Sequence, residues 1–380
     1  MVKFGVDNLQ DFAHLIQGRV ALITTPSGRT AENESTIEAL RRVCDLQVLL
    51  APEHGVRGDK PAGALFDDQL DEDSGLPTMS LYTGKSKRLS QKALEKFDTL
   101  VYDIQDVGCR YYTFLSTLRY LIEDCAAAGK RLVVLDRPNP LGDRVEGGMM
   151  AAENESFVGG YSIPVTYGLT CGEYARMVNE EEGCGCDLHI VPCTGLNRNM
   201  TFRDWGRYWI MPSLGIPRYE TALLYPGTCL IEGTNCSEGR GTADPFAIIG
   251  APFIRAEAFA KAFNDLGNPG VVATPVYFTP TASKHQGVLC GGIHIHIVDE
   301  AALRSVRLGV TLLALLKEMY PNDFHFLAPT PEFPRQFITH LAGHREFEQE
   351  NWDAEAMLAR YEEESAAFRL RKEKFHIYGE

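Results

Sequence analysis

Four short, nearly uninterrupted apolar runs dominate the first half of the chain: RVALITT at 19–25, LQVLLA at 46–51, TLVYDI at 99–104 and RLVVLD at 131–136. A strand with one solvated face alternates apolar and polar residues, whereas a strand covered on both faces does not. Runs of this kind, separated by helical patterns, call for a mostly parallel sheet with helices on both sides. Ser35, with Glu38 as its capping-box partner, starts a helix over 35–43, and a second helix fills 113–128. Thr170 and Glu173 open a third, after which 188–191 supplies an outer strand. The expected fold class is α/β with a Rossmann-like sheet.

The second half has another texture. Residues 200–254 are rich in Gly, Pro and aromatics with few long periodic segments, which implies elaborate loops. A helix over 256–264, strands over 271–278 and 292–298, a long helix over 301–319 and a charged helix over 352–375 follow. Asp299 and Pro321 bracket the long helix. The chain therefore divides into a Rossmann-like catalytic domain at 1–205 and a smaller α+β domain at 206–380 that closes a cleft. At roughly 150 residues per domain, the length agrees.

Charge removes whole classes of partner. The formal net charge is −14, the wrong sign for a sequence-independent grip on nucleic acid or an anionic membrane. No run approaches the ~18 apolar residues that span a bilayer. Asp7, Asp11 and His14 interrupt the first twenty residues, so a cytoplasmic, reduced protein is expected. The ten cysteines contain no Cys-x-x-Cys pair, and Cys171, Cys184, Cys186 and Cys193 around His189 match no zinc-ribbon spacing. Isolated thiols are the simpler reading.

In an open parallel sheet, ligands bind beyond the carboxyl ends of the strands. Here those ends carry the unusual polar residues. Glu53, His54, Arg57 and Asp59 follow the second run, Asp103, Asp106, Arg110, Tyr111 and Tyr112 the third, and Asp136, Arg137 and Asn139 the fourth. Capping or turn formation accounts for Asp59 and Asp136. Glu53 is different, because Glu caps poorly and its segment is loop. No G-x-G-x-x-G and no G-x-x-x-x-G-K-[ST] occurs, so no dinucleotide or ATP site of the usual kind is expected and no cofactor is assigned. The segment EGTNCSEGRGT at 232–242 reads as a loop that approaches a polar ligand. His294 and His296 share one face of a strand, an arrangement commoner as half-buried core than as ligands, and no metal is assigned.

Together these segments resemble a known family, the NamZ-type exo-β-N-acetylmuramidases, glycoside hydrolases formerly grouped as the DUF1343 domain of unknown function. The resemblance runs through APEHG at 51–55, DIQDVG at 103–108, DRPNP at 136–140, YSIP at 161–164, ETALLYPGT at 220–228, EGTN at 232–235, SEGRGT at 237–242 and PVYFTP at 275–280. It implies a Rossmann-like domain, a smaller second domain and an active site in the cleft between them. It also implies release of terminal N-acetylmuramic acid from the non-reducing ends of peptidoglycan fragments. Thr25, Tyr167 and His294 stand where the family more often has Asn, His and Gln.

Glycoside hydrolysis commonly needs a protonated carboxyl and a second group acting as nucleophile or base. Glu53 is the candidate acid, and His54 would tune it or touch a sugar hydroxyl. Asp103, Asp106, Glu232 and Glu238 compete for the second role, as does the acetamido group of the substrate itself. Arg57, Arg110 and Arg240 are candidates for gripping the lactyl carboxylate of muramic acid, unless they form structural ion pairs. Tyr111, Tyr112 and Tyr161 offer stacking faces. Asn139 and Asn235, in the matched motifs, complete the substrate-binding set with Glu238. Two other readings use the same residues: a muropeptide-binding protein without turnover, and a metal-dependent amidase or esterase built on His54, Asp103 and the strand histidines.

Overall fold

A computed structural model describes residues 1–60, 63–83 and 86–380, and in it the apolar runs lie side by side. The strands of the first half are β1 (Arg19–Thr24), β2 (Asp45–Ala51), β3 (Gln69–Leu70), β4 (Pro77–Ser80), β5 (Thr99–Asp103), β6 (Arg131–Leu135), β7 (Val145–Glu146), β8 (Thr166–Tyr167) and β9 (Asp187–Val191). Seven of them form one sheet in the order β3-β4-β2-β1-β5-β6-β9, while β7 and β8 make a separate ribbon. Every neighbouring pair in the large sheet is parallel except β3 with β4. Both faces are covered, so every residue of β5 is buried, as an uninterrupted apolar run requires. The chain leaves β1 toward β2 on one side and reaches β5 on the other, which opens a crevice at the carboxyl ends.

The smaller sheet is antiparallel, with β12 (Cys290–Ile297) between β10 (Ile248–Ala251) and β11 (Val271–Phe278). Helices Ala256–Asp265, Ser305–Met319 and Ala354–Lys372 accompany it. The long helix begins at Ser305, not 301, because Asp299 spends its carboxylate on the Ala301 and Ala302 N–H groups of a preceding turn. Ser35 caps the helix Thr36–Arg41 by accepting from Glu38 N, but Glu38 turns to Arg41 (3.2 Å) and closes no capping box. Thr170 and Glu173 do close one.

Several helices are absent from the sequence expectation, and the longest of them is instructive. Tyr219–Thr228 lies within the stretch read as loops, contains Pro226, and is buried almost all round. An apolar helix without a polar face has no period to detect, and Pro-Gly reads as a turn. Gly227 explains its position: a Cβ there would collide with the Ser305 carbonyl, and one on Gly309 with the Gly227 carbonyl. Two backbones thus cross at glycine contact, which sets Tyr225 at the junction of the two halves. The short strands β3 and β4 also escaped notice, since two residues or a Pro-initiated four carry little pattern. Among the described residues, no helix is long and apolar enough to cross a membrane.

Candidate active site

A cavity of about 950 Å³ opens where the ends of β2 and β5 face the loops of the second half. Strand β2 ends in a turn closed by Gly55 N–H to the Pro52 carbonyl (2.9 Å). His54, third in that turn, has φ +69°, a left-handed conformation that costs a non-glycine residue free energy. Among the described residues five non-glycines adopt such φ values, and three of them, His54, Phe246 and Ser283, line this cavity. Backbone strain concentrated in one cavity is a physical pointer to function.

The turn aims Glu53 inward. Its Oε1 accepts from Gly63 N (2.9 Å), and its Oε2 accepts from the hydroxyls of Thr113 and Tyr82, the latter at 3.3 Å. Burial, with Glu53 beside it, pushes the Tyr82 hydroxyl well above the usual phenol range, so it stays a donor. His54 places Nδ1 3.0 Å from the Lys60 carbonyl, which can only accept; the neutral ring therefore keeps its lone pair at Nε2. Edge-to-face rings form the floor: Tyr225 packs on Tyr111 (5.6 Å), Tyr112 (5.9 Å) and Phe246 (4.8 Å).

The second half contributes Glu232 and Arg240. Arg240 donates from Nε (2.9 Å) and Nη2 (2.7 Å) to Glu232 Oε1, lies 3.5 Å from Glu238, and packs over Phe246 at 5.0 Å. Lys284 reaches Glu238 (3.0 Å) and the carbonyls of Ile231 and Thr234. The glycines here serve packing between loops: Gly241 has φ +78°, and a Cβ on it would strike the Ala282 backbone.

Of the residues singled out by sequence, Glu53, His54, Tyr111, Tyr112, Glu232 and Arg240 line the cavity. Glu238 stands behind it, buried between Arg240 and Lys284. The others point elsewhere, each for a definite reason. Asp103 is 0% exposed and salt-bridged to Arg137 (2.5 Å), with Thr36 donating to it. Arg57 forks onto Asp71 (2.8 and 2.6 Å), holding that carboxyl down at about 2. Arg110 is buried and donates to the carbonyls of Gly148, Ile163 and Leu341, stapling three segments together. Asn139 is spent on Leu141 N and the Leu169 carbonyl, and Asn235 on His325 N and the Asp323 carbonyl. Tyr161 donates to Glu181 (2.7 Å). These side chains are engaged through their polar atoms by partners within the protein, away from the cavity.

Asp106 is also buried outside the cavity: Gly108 N (2.6 Å) and Tyr167 OH donate to its Oδ1, and among the described residues Oδ2 has no partner. Burial raises its carboxyl from 3.8 to about 7, against those hydrogen bonds. The folded protein therefore keeps a proton that the unfolded chain releases near 3.8, and loses relative stability as pH rises through that window. Asp106→Asn cannot titrate. Its Tm relative to the parent is expected to rise steadily from pH 4 to about 7 and to level off above it. Scanning calorimetry across that range checks this, and a pH-independent difference contradicts it.

The metal reading finds no support in the geometry. His294 meets Asp244 (2.9 Å), His296 meets Thr274 (2.9 Å), and neither they nor Asp103 line the cavity with His54. Among the described residues no cluster of three or more His, Cys, Asp or Glu is placed to hold a metal ion. Sequence reasoning missed Tyr82, Thr113, Ser283 and Lys284. Of these, Thr113 alone carried a signal, as the residue before a helix. The others sit on loops whose convergence has no local signature.

An inward-facing carboxyl with three donors, a second carboxylate in the same cavity, and an aromatic floor above a parallel sheet define the class: an α/β glycoside hydrolase. Family models for the exo-β-N-acetylmuramidase NamZ match residues 20–220 with their N-terminal part and 223–378 with their C-terminal part. The chain belongs to that family. It is 39% identical to the peptidoglycan β-N-acetylmuramidase NamZ of Bacillus subtilis (strain 168), over 99% of this chain and 91% of that protein. Two solved structures of DUF1343 family proteins from Bacteroides fragilis NCTC 9343 share the fold. One has a TM-score of 0.89 at 33% identity and covers 99% of both chains. The other has a TM-score of 0.77 at 27% identity, covering 100% of this chain and 99% of that one.

Proposed function

We propose that this protein cleaves terminal N-acetylmuramic acid from the non-reducing ends of peptidoglycan fragments, with Glu53 as general acid and Glu232 as the second catalytic group. The observation that carries the assignment is the seat of Glu53: a strained turn holds its carboxyl in the cavity among Gly63 N, Tyr82 OH and Thr113 Oγ1. For the acid step Glu53 carries its proton on Oε2, which the rotatable hydroxyls of Tyr82 and Thr113 accommodate by turning to accept. That proton passes to the leaving oxygen as the glycosidic bond breaks. Of the four acids that compete for the second role, Glu232 alone lines the cavity. Arg240 holds its Oε1, while among the described residues Oε2 meets only the Cys229 thiol at 3.6 Å and is the oxygen available to the sugar or to water. Tyr111 and Tyr112 supply faces for the pyranose rings.

Incubation with N-acetylmuramyl-β-1,4-N-acetylglucosamine is expected to yield both free monosaccharides, read by chromatography. Binding of the disaccharide without cleavage overturns the enzyme assignment in favour of a sensing role. Cleavage with the Glu232→Gln variant undiminished removes Glu232 from the mechanism and leaves the acetamido group of the substrate as the second participant.

A further inference from the structure

One wall of the cavity carries a cation, Lys87, that the bond-breaking chemistry does not use. Lys87 Nζ lies 4.1 Å from the centre of the Phe157 ring and 5.6 Å from that of Tyr82, two rings that meet edge to face at 6.0 Å. Its carboxylate partner, Glu332, is 3.8 Å away and 72% exposed. All four residues line the cavity.

Three described cations line the cavity, and their commitments differ. Arg240 gives two hydrogen bonds to Glu232 and sits near Glu238, with both acids largely shielded. Arg88 is paired with Glu123 and with Asp124 (3.1 Å), and its guanidinium covers Tyr120 at 4.1 Å. Among the described residues Lys87 has one carboxylate partner, Glu332, a long contact to a solvated side chain. An exposed, solvated ion pair contributes little, whereas charge-assisted hydrogen bonds to a sheltered partner are among the strong ones. A ligand carboxylate entering the cavity therefore displaces Glu332 from Lys87 far more readily than it displaces Glu232 from Arg240.

We propose that Lys87 reads a carboxylate on the substrate, with Phe157 and Tyr82 holding the ammonium in position and Glu332 leaving it when substrate binds. This rests on the hydrolase assignment for its context and deepens it. Tyr82 links the two functions, since its ring carries the Lys87 charge and its hydroxyl donates to Glu53. The carboxylate has two possible sources, the lactyl group of the terminal sugar or an acid on the leaving-group side.

Three chromogenic muraminides separate them: one with a free lactyl carboxylate and neutral aglycone, its lactyl amide, and the amide joined to a carboxyl-bearing aglycone. With Lys87→Gln, kcat/KM is expected to fall about ten- to hundredfold, mostly through KM, on whichever acid is read, and to stay unchanged on the doubly neutral compound. Loss on the first substrate assigns the lactyl group, and loss on the third assigns the leaving-group side. Glu332→Gln is expected to lower KM on that same acid. Equal effects of Lys87→Gln on all three, or none, overturn the proposal. Calorimetric binding of N-acetylmuramic acid and of its lactyl amide to parent and variant tests the lactyl source without turnover, so failure of catalysis is distinguishable from failure of carboxylate reading.

Discussion

Replacing Glu53 by Gln is expected to lower kcat on a β-N-acetylmuraminide by about 10²- to 10⁴-fold, the range that a positioned general acid supplies. That corresponds to roughly 3 to 5 kcal/mol of transition-state stabilisation. The fold should survive the change. Gly63 N–H can only donate, so the amide oxygen must face it, and the amide NH₂ then meets Tyr82 and Thr113, whose hydroxyls can turn and accept. An unchanged thermal transition with a collapsed kcat is the outcome that marks a catalytic residue. Turnover within twofold of the parent would remove Glu53 from the chemistry.

Asp103→Ala should do the opposite, costing stability first. The Asp103 and Arg137 side chains are 0% and 2% exposed and joined by bonds of 2.5 and 3.0 Å. Removing the acid strands a guanidinium in the core, a loss of about 3–5 kcal/mol. At roughly 2–4 °C per kcal/mol for domains of this size, Tm should fall by about 6–20 °C. The paired replacement Asp103→Leu with Arg137→Met removes both charges and should recover most of the loss, because an apolar pair of similar volume replaces a buried ion pair at little cost. Calorimetry on the single and double variants decides. An unaltered transition with lost activity in Asp103→Ala would return Asp103 to the catalytic set.

These two residues show why the strand ends were only half legible. Both lie at or just beyond the end of an apolar run, and both are acids on the rim where ligands bind. Asp103 closes β5 and turns into a core that already holds Arg137, from the end of the neighbouring strand. Glu53 lies two residues past β2, on a turn whose left-handed His54 redirects the chain. Arg57 and Asp71 are 14 residues apart, and Arg110 reaches Leu341 across 231 residues. No window along the chain contains both members of such pairs. The helix Tyr219–Thr228 was hidden for a related reason: without a solvent face it has no amphipathic period, and only its crossing with Ser305–Met319 explains Gly227.

The sequence by itself determined the parallel sheet, the position of its rim, and Glu53-His54 as its most unusual segment. Burial on both faces of a strand is written locally, as an apolar run, and a Glu in a loop has no local partner to explain it. Only the tertiary structure decided which charged groups are neutralised inside the protein and which are left facing the cavity. That choice depends on distances between residues far apart in the chain, because a buried charge is tolerated only beside its partner. Arg57, Arg110 and Asp103 are turned to partners away from the cavity, while Glu53, Glu232 and Lys87 are held by theirs at its wall.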